Sequence, residues 1–345
     1  MKATYCAVGV VTMSLVVVLT LAAGAQTELR VQGGRFLVND APTFLYGLSY
    51  YGGLGASEET LKLDLDDVKR HDFNWIRVWA TWTAYSNDVA VVDAEGRPRA
   101  AQMDKLRRLV TDCDRRGLVV DVTIGRGNWT GNPKMLRAPE AHRRAVELLV
   151  EELKAYRNWY LDLANERNLA EFGFTSFAEL RDLRDFVRAR DPERLVTASH
   201  AGDIDDEDLR EYLFTVGVDF LCPHRPRSPE TPPATESRTV RYRETMLRLG
   251  RVVPLHYQEP LRRGWGAWSP RAEDFLADLG GARAGGAAGW CFHNGSDGAT
   301  PDGEPRRGFD LHRRGLFAQF DGEEMRALPL LGAALAAGPA ARSSR

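Results

Sequence analysis

Eight short apolar runs, separated by amphipathic segments, restrict the fold of this chain more than any other feature. Runs of this length are typical of buried β-strands, and apolar residues at helical spacing between them indicate helices. Met103, Leu106, Val110 and Cys113 form one such helical stripe. The eight runs are FLYGLSY (44–50), FNWIRVW (73–79), LVVDVTI (118–124), YLDLANE (160–166), RLVTASH (194–200), VDFLCPH (218–224), VVPLHYQE (252–259) and AAGWCFH (287–293).

The order of these segments predicts an α/β protein, a (β/α)8 TIM barrel. Strands that alternate with helices build a parallel sheet, and eight such pairs with few spare elements favour a closed barrel over an open, doubly wound sheet. The segment at 29–44 predicts a small N-terminal β-hairpin cap, with Gly-Gly and Asn-Asp as turn residues. We predict one domain over 26–337, followed by a flexible tail at 338–345.

The N-terminus has the pattern of an export signal. Lys2 precedes a mostly apolar run at 7–25, which ends in the small residues Ala23-Gly24-Ala25 that signal peptidase recognises. The sequence therefore predicts a signal peptide over 1–25 and a secreted or periplasmic protein, with no stable membrane insertion after cleavage. The alternative is an uncleaved membrane anchor, because the run is nearly long enough to span a bilayer.

Charge and cysteine content exclude several classes of partner. The chain has 46 Lys and Arg against 48 Asp and Glu, a net charge of −2, which argues against nucleic acid or an anionic membrane as the main partner. Once Cys6 leaves with the signal, Cys113, Cys222 and Cys291 remain, and none has CxxC or CxxH spacing. We expect buried thiols, no metal site and no cofactor.

Polar residues at the strand ends are the candidates for chemistry, because an α/β barrel carries its active site at the carboxyl ends of its strands. Glu166 and Glu259 each close an apolar run, where an ionised side chain is costly to bury unless it is used. Strands four and seven lie on opposite sides of a barrel, so these carboxyl groups can meet across its mouth. The candidates are Arg77, Asn165, Glu166, His200, His224, Glu259, His293 and Asn294.

Two facing carboxyl groups are what the hydrolysis of a glycosidic bond requires. The motifs LANERN and HYQEP resemble those of the clan A glycoside hydrolases, and the chain is most similar to their family-five, cellulase-like members. The resemblance implies that Glu166 is the acid/base and Glu259 the nucleophile. It covers about 30–337. We expect the two carboxyl groups about 5–5.5 Å apart, the separation for retention of configuration.

The same resemblance assigns further substrate-binding residues. It implies that Arg77 keeps the nucleophile ionised, that Asn165 binds the sugar 2-hydroxyl, that His224 is the strand-six histidine and that Trp290 is the floor of the sugar site. The chain departs from the family where the third strand ends in TIGRGN and where Pro226 replaces a tyrosine. His293 at the end of strand eight is a further candidate. Aromatic rings at strand ends suit the apolar faces of sugars, and Trp79, Trp129 and Trp265 are predicted in that role.

The sequence thus predicts a retaining glycoside hydrolase that cleaves β-linked oligo- or polysaccharides, with a glycan as its partner. One alternative is a catalytically inactive barrel that only binds glycans. Another is a metal-dependent barrel hydrolase, which needs clustered ligands such as His-x-His on strand one, where this chain has Tyr46, Ser49 and Tyr50. The Pro-rich segment 225–234 is predicted as a solvated loop on the rim.

Overall fold

The first described residues form a small antiparallel sheet. The computed structural model describes residues 27–84, 87–126, 136–170, 173–263, 268–293 and 309–337. Strands β1 (Leu29–Gln32), β2 (Arg35–Val38) and β3 (Ala41–Thr43) pair in sequence order. Asn39 and Asp40 have φ angles of 51° and 63°, as a type I′ turn requires, and these residue types tolerate such a backbone. The segment predicted as a two-stranded hairpin therefore has three strands.

A curled sheet of seven parallel strands follows. Each strand overlaps one of the predicted apolar runs. The strands are β4 (Leu45–Ser49), β5 (Trp75–Trp79), β8 (Val119–Thr123), β9 (Trp159–Asp162), β10 (Val196–Thr197), β13 (His256–Tyr257) and β14 (Gly289–Phe292). Their order in the sheet is β10-β9-β8-β5-β4-β14-β13. A short antiparallel pair, β6 (Thr83–Ala84) and β7 (Asn87–Asp88), follows β5.

A separate parallel pair contains the one remaining strand of the predicted barrel. This pair is β11 (Ser199–Ala201) and β12 (Cys222–His224), and β11 begins in the same predicted run as β10. A parallel β-bridge joins Leu221 to Leu255, and the N–H of His256 donates to the carbonyl of Leu221 at 2.9 Å. In place of one eight-stranded sheet, the structure has seven parallel strands and this pair, with the bridge between β12 and the β13 segment.

Helices follow most of the strands, and their buried residues match the predicted stripes, including Met103, Leu106, Val110 and Cys113. Ser176 caps one helix in a capping box with Glu179, which satisfies two N–H groups of its first turn. The helices are α1 (Glu58–Arg70), α2 (Ala100–Arg115), α3 (Pro139–Leu153), α4 (Phe177–Arg190), α5 (Asp206–Arg210), α6 (Thr231–Leu249), α7 (Ala272–Gly285) and α8 (Gly322–Ala336). Short helical turns lie at Gly53–Gly55, Glu211–Val216 and Phe317–Gln319.

The core has two apolar layers. The larger cluster joins the sheet to the helices, and it includes Tyr46, Trp290 and Phe292. The smaller cluster brings together Leu45, Trp75, Val119, Tyr160, Cys222 and Cys291, which come from strands all around the curl and therefore meet inside it. Phe36 of the N-terminal sheet belongs to this inner cluster and packs edge-on against Phe220 at 5.0 Å. The N-terminal sheet thus covers one end of the curl and leaves the carboxyl ends of the strands for the polar residues.

Cys113, Cys222 and Cys291 are buried free thiols, as expected. Across the described ranges, no helix has the length and apolar character needed to cross a membrane. The predicted signal segment 1–25 and the tail 338–345 lie outside the described residues.

Candidate active site

Glu259 lies just after β13, with both carboxylate oxygens in contact with cationic or polar groups. Arg77 and the Tyr51 hydroxyl donate to Oε1, the hydroxyl at 2.7 Å. Arg227 donates to Oε2 at 2.6 Å, and Nε2 of His293 lies 3.3 Å from the same oxygen. Burial alone would raise the pKa of this carboxyl. Arg77 and the hydrogen bonds to Glu259 outweigh burial and hold the pKa of Glu259 well below its usual range.

Glu166 lies four residues beyond β9, in a strained backbone conformation. Its φ angle is +45°, which costs a non-glycine residue about 1–3 kcal/mol. Its N–H donates to the Ser199 hydroxyl at 3.0 Å, and Oε1 lies 3.2 Å from Nδ1 of His224. One carboxylate oxygen of Glu166 lies within 4.8 Å of one of Glu259. The structure thus brings the two predicted glutamates face to face.

Arg77 on β5 is fully buried and connects the strands beneath the site. Besides Glu259, its guanidinium donates to Asp162 at 3.0 Å and to the Asn165 side-chain oxygen at 2.9 Å. Its Nε lies 3.3 Å from Asp121, whose pKa burial raises to about 7 although Arg77 lowers it. Nδ2 of Asn165 is buried without a hydrogen-bond partner among the described residues. Arg77 therefore orients Asn165 so that its amide N–H groups remain available to a ligand.

His224 and His293 both lie at the site, whereas His200 does not contact the glutamates. The two imidazoles contact Glu166 and Glu259, and His293 also lies 2.7 Å from the Ser49 hydroxyl. Burial lowers the pKa of His293 to about 3, so its ring is neutral near pH 7. His200 lies against Asn168 and Tyr212 instead.

Two residues of the site were not predicted. Tyr51 follows β4 by two residues, and its hydroxyl reaches Glu259, although the family's tyrosine position is Pro226 here. Arg227 lies in the segment predicted as a solvated loop, a prediction that holds for exposed Pro226, Pro229 and Glu230 and is wrong for Arg227 and for 231–234. Arg227 is only partly exposed and binds Glu259, and α6 begins at Thr231 because prolines are accepted in the first turn of a helix.

The predicted role of Trp290 as the floor of the sugar site is also wrong. Its ring is fully buried in the layer between sheet and helices, where Nε1 donates to Asp278 of α7 at 2.6 Å. The physical reason is the alternation of side chains along a strand. The neighbouring residue Cys291 contacts Ser49 inside the curl, so Trp290 must point outwards.

Of the other three tryptophans predicted to bind sugar, the structure describes Trp79. Trp79 is 2% exposed and packs near Tyr51 and Trp82, with the guanidinium carbon of Arg77 5.7 Å from its ring centroid. It therefore packs among the residues around Glu259 and exposes almost none of its ring. Trp129 and Trp265 lie outside the described residues, as does Asn294.

The described residues include one group with the ligand atoms of a metal site, namely Glu166, His224 and Glu259. Carboxylate and imidazole are ordinary metal ligands. Both oxygens of Glu259 already contact guanidinium groups, however, and these positive charges repel a cation. The arrangement therefore favours a Glu259 carboxylate that reacts directly and does not bind a cation.

Solved structures of glycoside hydrolases share the architecture of this chain. A protein of Bacteroides vulgatus ATCC 8482 superposes with a TM-score of 0.68 at 15% identity, over 91% of this chain and 62% of its own length. The endo-1,4-β-mannanase of Rhizomucor miehei has a TM-score of 0.64 at 14% identity, over 90% and 99% of the two chains. A family-five mannosidase of Rhizomucor miehei has a TM-score of 0.62 at 14% identity, over 90% and 97%.

Neither protein-family models nor curated proteins match the sequence. The structural similarity confirms the resemblance at the level of the fold, a mixed α/β architecture with a curled parallel sheet like that of the family-five enzymes.

Proposed function

We propose that this chain is a retaining glycoside hydrolase with Glu259 as nucleophile and Glu166 as acid/base. The observation that carries the proposal is the approach of one oxygen of each glutamate to within 4.8 Å. Retaining enzymes hold their two carboxyl groups about 5–5.5 Å apart, whereas inverting enzymes need about 6.5–9.5 Å to admit a water molecule. The short separation supports a double displacement.

The surroundings of the two glutamates support this division of roles. Glu259 is kept ionised, as a nucleophile must be, and it attacks the anomeric carbon while the bond to the leaving oxygen breaks. Glu166 gives its proton to that oxygen. Water then attacks the same carbon, its proton returns to Glu166, and the bond to Glu259 breaks. Asn165 has free amide donors for the sugar 2-hydroxyl, a contact that strengthens in the transition state.

We infer β-mannosides as the first substrates to examine among β-linked glycans. Solved structures of similar fold include mannanases and mannosidases, one of them with bound mannosyl-fructose. A panel of aryl β-mannosides, β-glucosides and β-xylosides, together with the matching polysaccharides, tests this substrate class. The alternative, a glycan-binding barrel without activity, predicts binding to one of these glycans and no turnover of any.

We also infer that the mature protein is one domain over 26–337 on a complete (β/α)8 barrel, exported by the segment 1–25. The basic residue, the apolar run and the Ala-Gly-Ala site support export. N-terminal sequencing of protein recovered outside the cytoplasm tests it. Cleavage near residue 25 supports the inference, and an intact N-terminus in the membrane fraction supports the anchor.

Glu259→Ala tests the proposed mechanism. We expect no turnover, because the nucleophile is lost, and partial rescue by azide, because the small anion can occupy the space between Arg77 and Arg227. The rescued product should be a glycosyl azide of inverted configuration, identified by proton NMR.

The matched control for Glu259→Ala is Glu230→Gln, which changes an exposed glutamate on the segment before α6. Its activity should equal that of the wild type. Near-normal turnover by Glu259→Ala would refute the assignment of the nucleophile.

A further inference from the structure

Gln258, the residue before Glu259, is fully buried and holds a fixed place beneath the site. Its Nε2 donates to Asp121 Oδ2 at 2.7 Å and to the Tyr160 hydroxyl at 3.2 Å. That hydroxyl donates to the same carboxylate oxygen at 3.0 Å and accepts from Nε1 of Trp75 at 2.9 Å. Both neighbours of Nε2 thus act as acceptors towards it, so the nitrogen of the Gln258 amide belongs on this side.

The oxygen of the Gln258 amide consequently faces His224. Oε1 lies 3.4 Å from Nε2 of His224. A carbonyl oxygen can only accept a hydrogen bond, so Nε2 of the imidazole must carry the proton. In a neutral imidazole the other nitrogen then has a lone pair. That nitrogen, Nδ1, lies 3.2 Å from Oε1 of Glu166 and 3.7 Å from Oε1 of Glu259.

A lone pair on Nδ1 has opposite effects on the two forms of Glu166. It accepts a hydrogen bond from the protonated carboxyl group, which is the form that a general acid needs before it meets the substrate. It repels the ionised carboxylate. The reverse tautomer, with the proton on Nδ1, would instead stabilise ionised Glu166 and withhold its proton from the leaving oxygen.

We propose that Gln258 is a positioning residue that fixes the tautomer of His224 and so keeps the acid proton on Glu166. The proposal rests on the function proposed above and extends it to a residue that touches neither glutamate's carboxylate in the described contacts. Asp121 and Tyr160 orient the amide of Gln258. This amide fixes the tautomer of His224, and His224 in turn contacts Glu166. Each link is a hydrogen bond between buried groups.

The first test is the tautomer itself, which does not depend on activity. We would label the full-length protein with ¹⁵N-histidine and identify the signals of His224 by their loss in His224→Gln. The wild type should show a protonated Nε2 and an unprotonated Nδ1. In Gln258→Met, which keeps the length of the side chain but removes the acceptor, this preference should disappear. A wild-type ring protonated on Nδ1, or on both nitrogens, would overturn the proposal, and so would an unchanged tautomer in the variant.

The second test compares leaving groups. General acid catalysis contributes about 10²–10⁴-fold to a rate, and a poor leaving group needs it most. Gln258→Met should lower kcat/KM for an unactivated glycoside by about ten- to a hundredfold, while a dinitrophenyl glycoside should change by less than about threefold. Equal losses on both substrates would contradict the proposal.

Gln319→Met is the matched control, because Gln319 is also buried and hydrogen-bonded, but to Asp310 and Arg314 rather than to site residues. It should leave the ratio between the two substrates unchanged. If Gln258→Met does not fold, the wild-type spectrum still decides the tautomer. If the wild type turns over no glycoside at all, the proposed function fails while the spectrum continues to test the role of Gln258.

Discussion

Trp290 offers the sharpest test of how this fold places its aromatic residues. The ring is fully buried between sheet and helices, and its Nε1 donates to the buried carboxyl of Asp278. Trp290→Ala removes the ring from a packed layer, which costs about 3–5 kcal/mol in the free energy of unfolding. It also leaves Asp278 without this donor, at about 1–3 kcal/mol more. Since a whole domain is stable by only about 5–15 kcal/mol, a combined loss of this size is a large part of the total, and we expect a strongly destabilised alanine variant.

Trp290→Phe keeps a phenyl ring in the layer, so it reduces the loss of packing while it removes the donor completely. We expect a loss of about 1–3 kcal/mol in the free energy of unfolding, with KM and kcat close to those of the wild type. Urea unfolding followed by circular dichroism gives the first quantity, and kinetics on the best substrate of the glycoside panel gives the others. A tenfold rise in KM with unchanged stability would show that the ring faces the sugar, and would refute this reasoning.

Three further predictions follow from buried charges. Arg227→Gln removes a cation from Glu259 and therefore raises its pKa, so the acid limb of the kcat/KM profile should move to higher pH; an unmoved limb contradicts this. Arg77→Met leaves several buried carboxyl groups unpaired and should cost about 3–5 kcal/mol in urea unfolding, and a loss below about 1 kcal/mol contradicts it. Burial raises the pKa of Asp64 to about 6, so the folded state binds its proton more tightly than the unfolded state. The stability that Asp64 contributes is therefore fully present below about pH 4, and it falls by about 3 kcal/mol as the pH rises through 6. Asp64→Asn should remove this dependence of stability on pH, as thermal melts of the variant and the wild type at several pH values would show.

The sequence was sufficient to bring the two glutamates together, because each occupies a position that a strand ending defines. Glu166 and Glu259 close apolar runs, and parallel strands bring their carboxyl ends to one edge. Tyr51 and Arg227 could not be predicted as site residues, because they lie in loops after strand ends, and hydrophobic periodicity does not predict the path of a loop.

Gln258 and Trp290 show that the direction in which a side chain points decides its role. The family resemblance gave Trp290 a function without regard to the direction of its side chain. Counting back from His293 in steps of two would have placed Cys291 inside the curl and Trp290 outside it. Gln258 was passed over because it adjoins a stronger candidate, and the sequence contains no sign that its amide reaches Asp121 on another strand.

The division of labour that we propose for the two glutamates rests on their neighbours, since the side chains are chemically identical. Glu259 contacts two guanidinium groups and a tyrosine hydroxyl, all of which stabilise a negative charge. The carboxylate of Glu166 has a single imidazole as its polar partner among the described residues, and it faces the ionised Glu259. Two carboxyl groups this close repel each other when both are charged, and the two guanidinium groups favour the ionised form at Glu259. Removing one of these cations should therefore weaken the preference of Glu259 for the ionised form before it changes the geometry of the site.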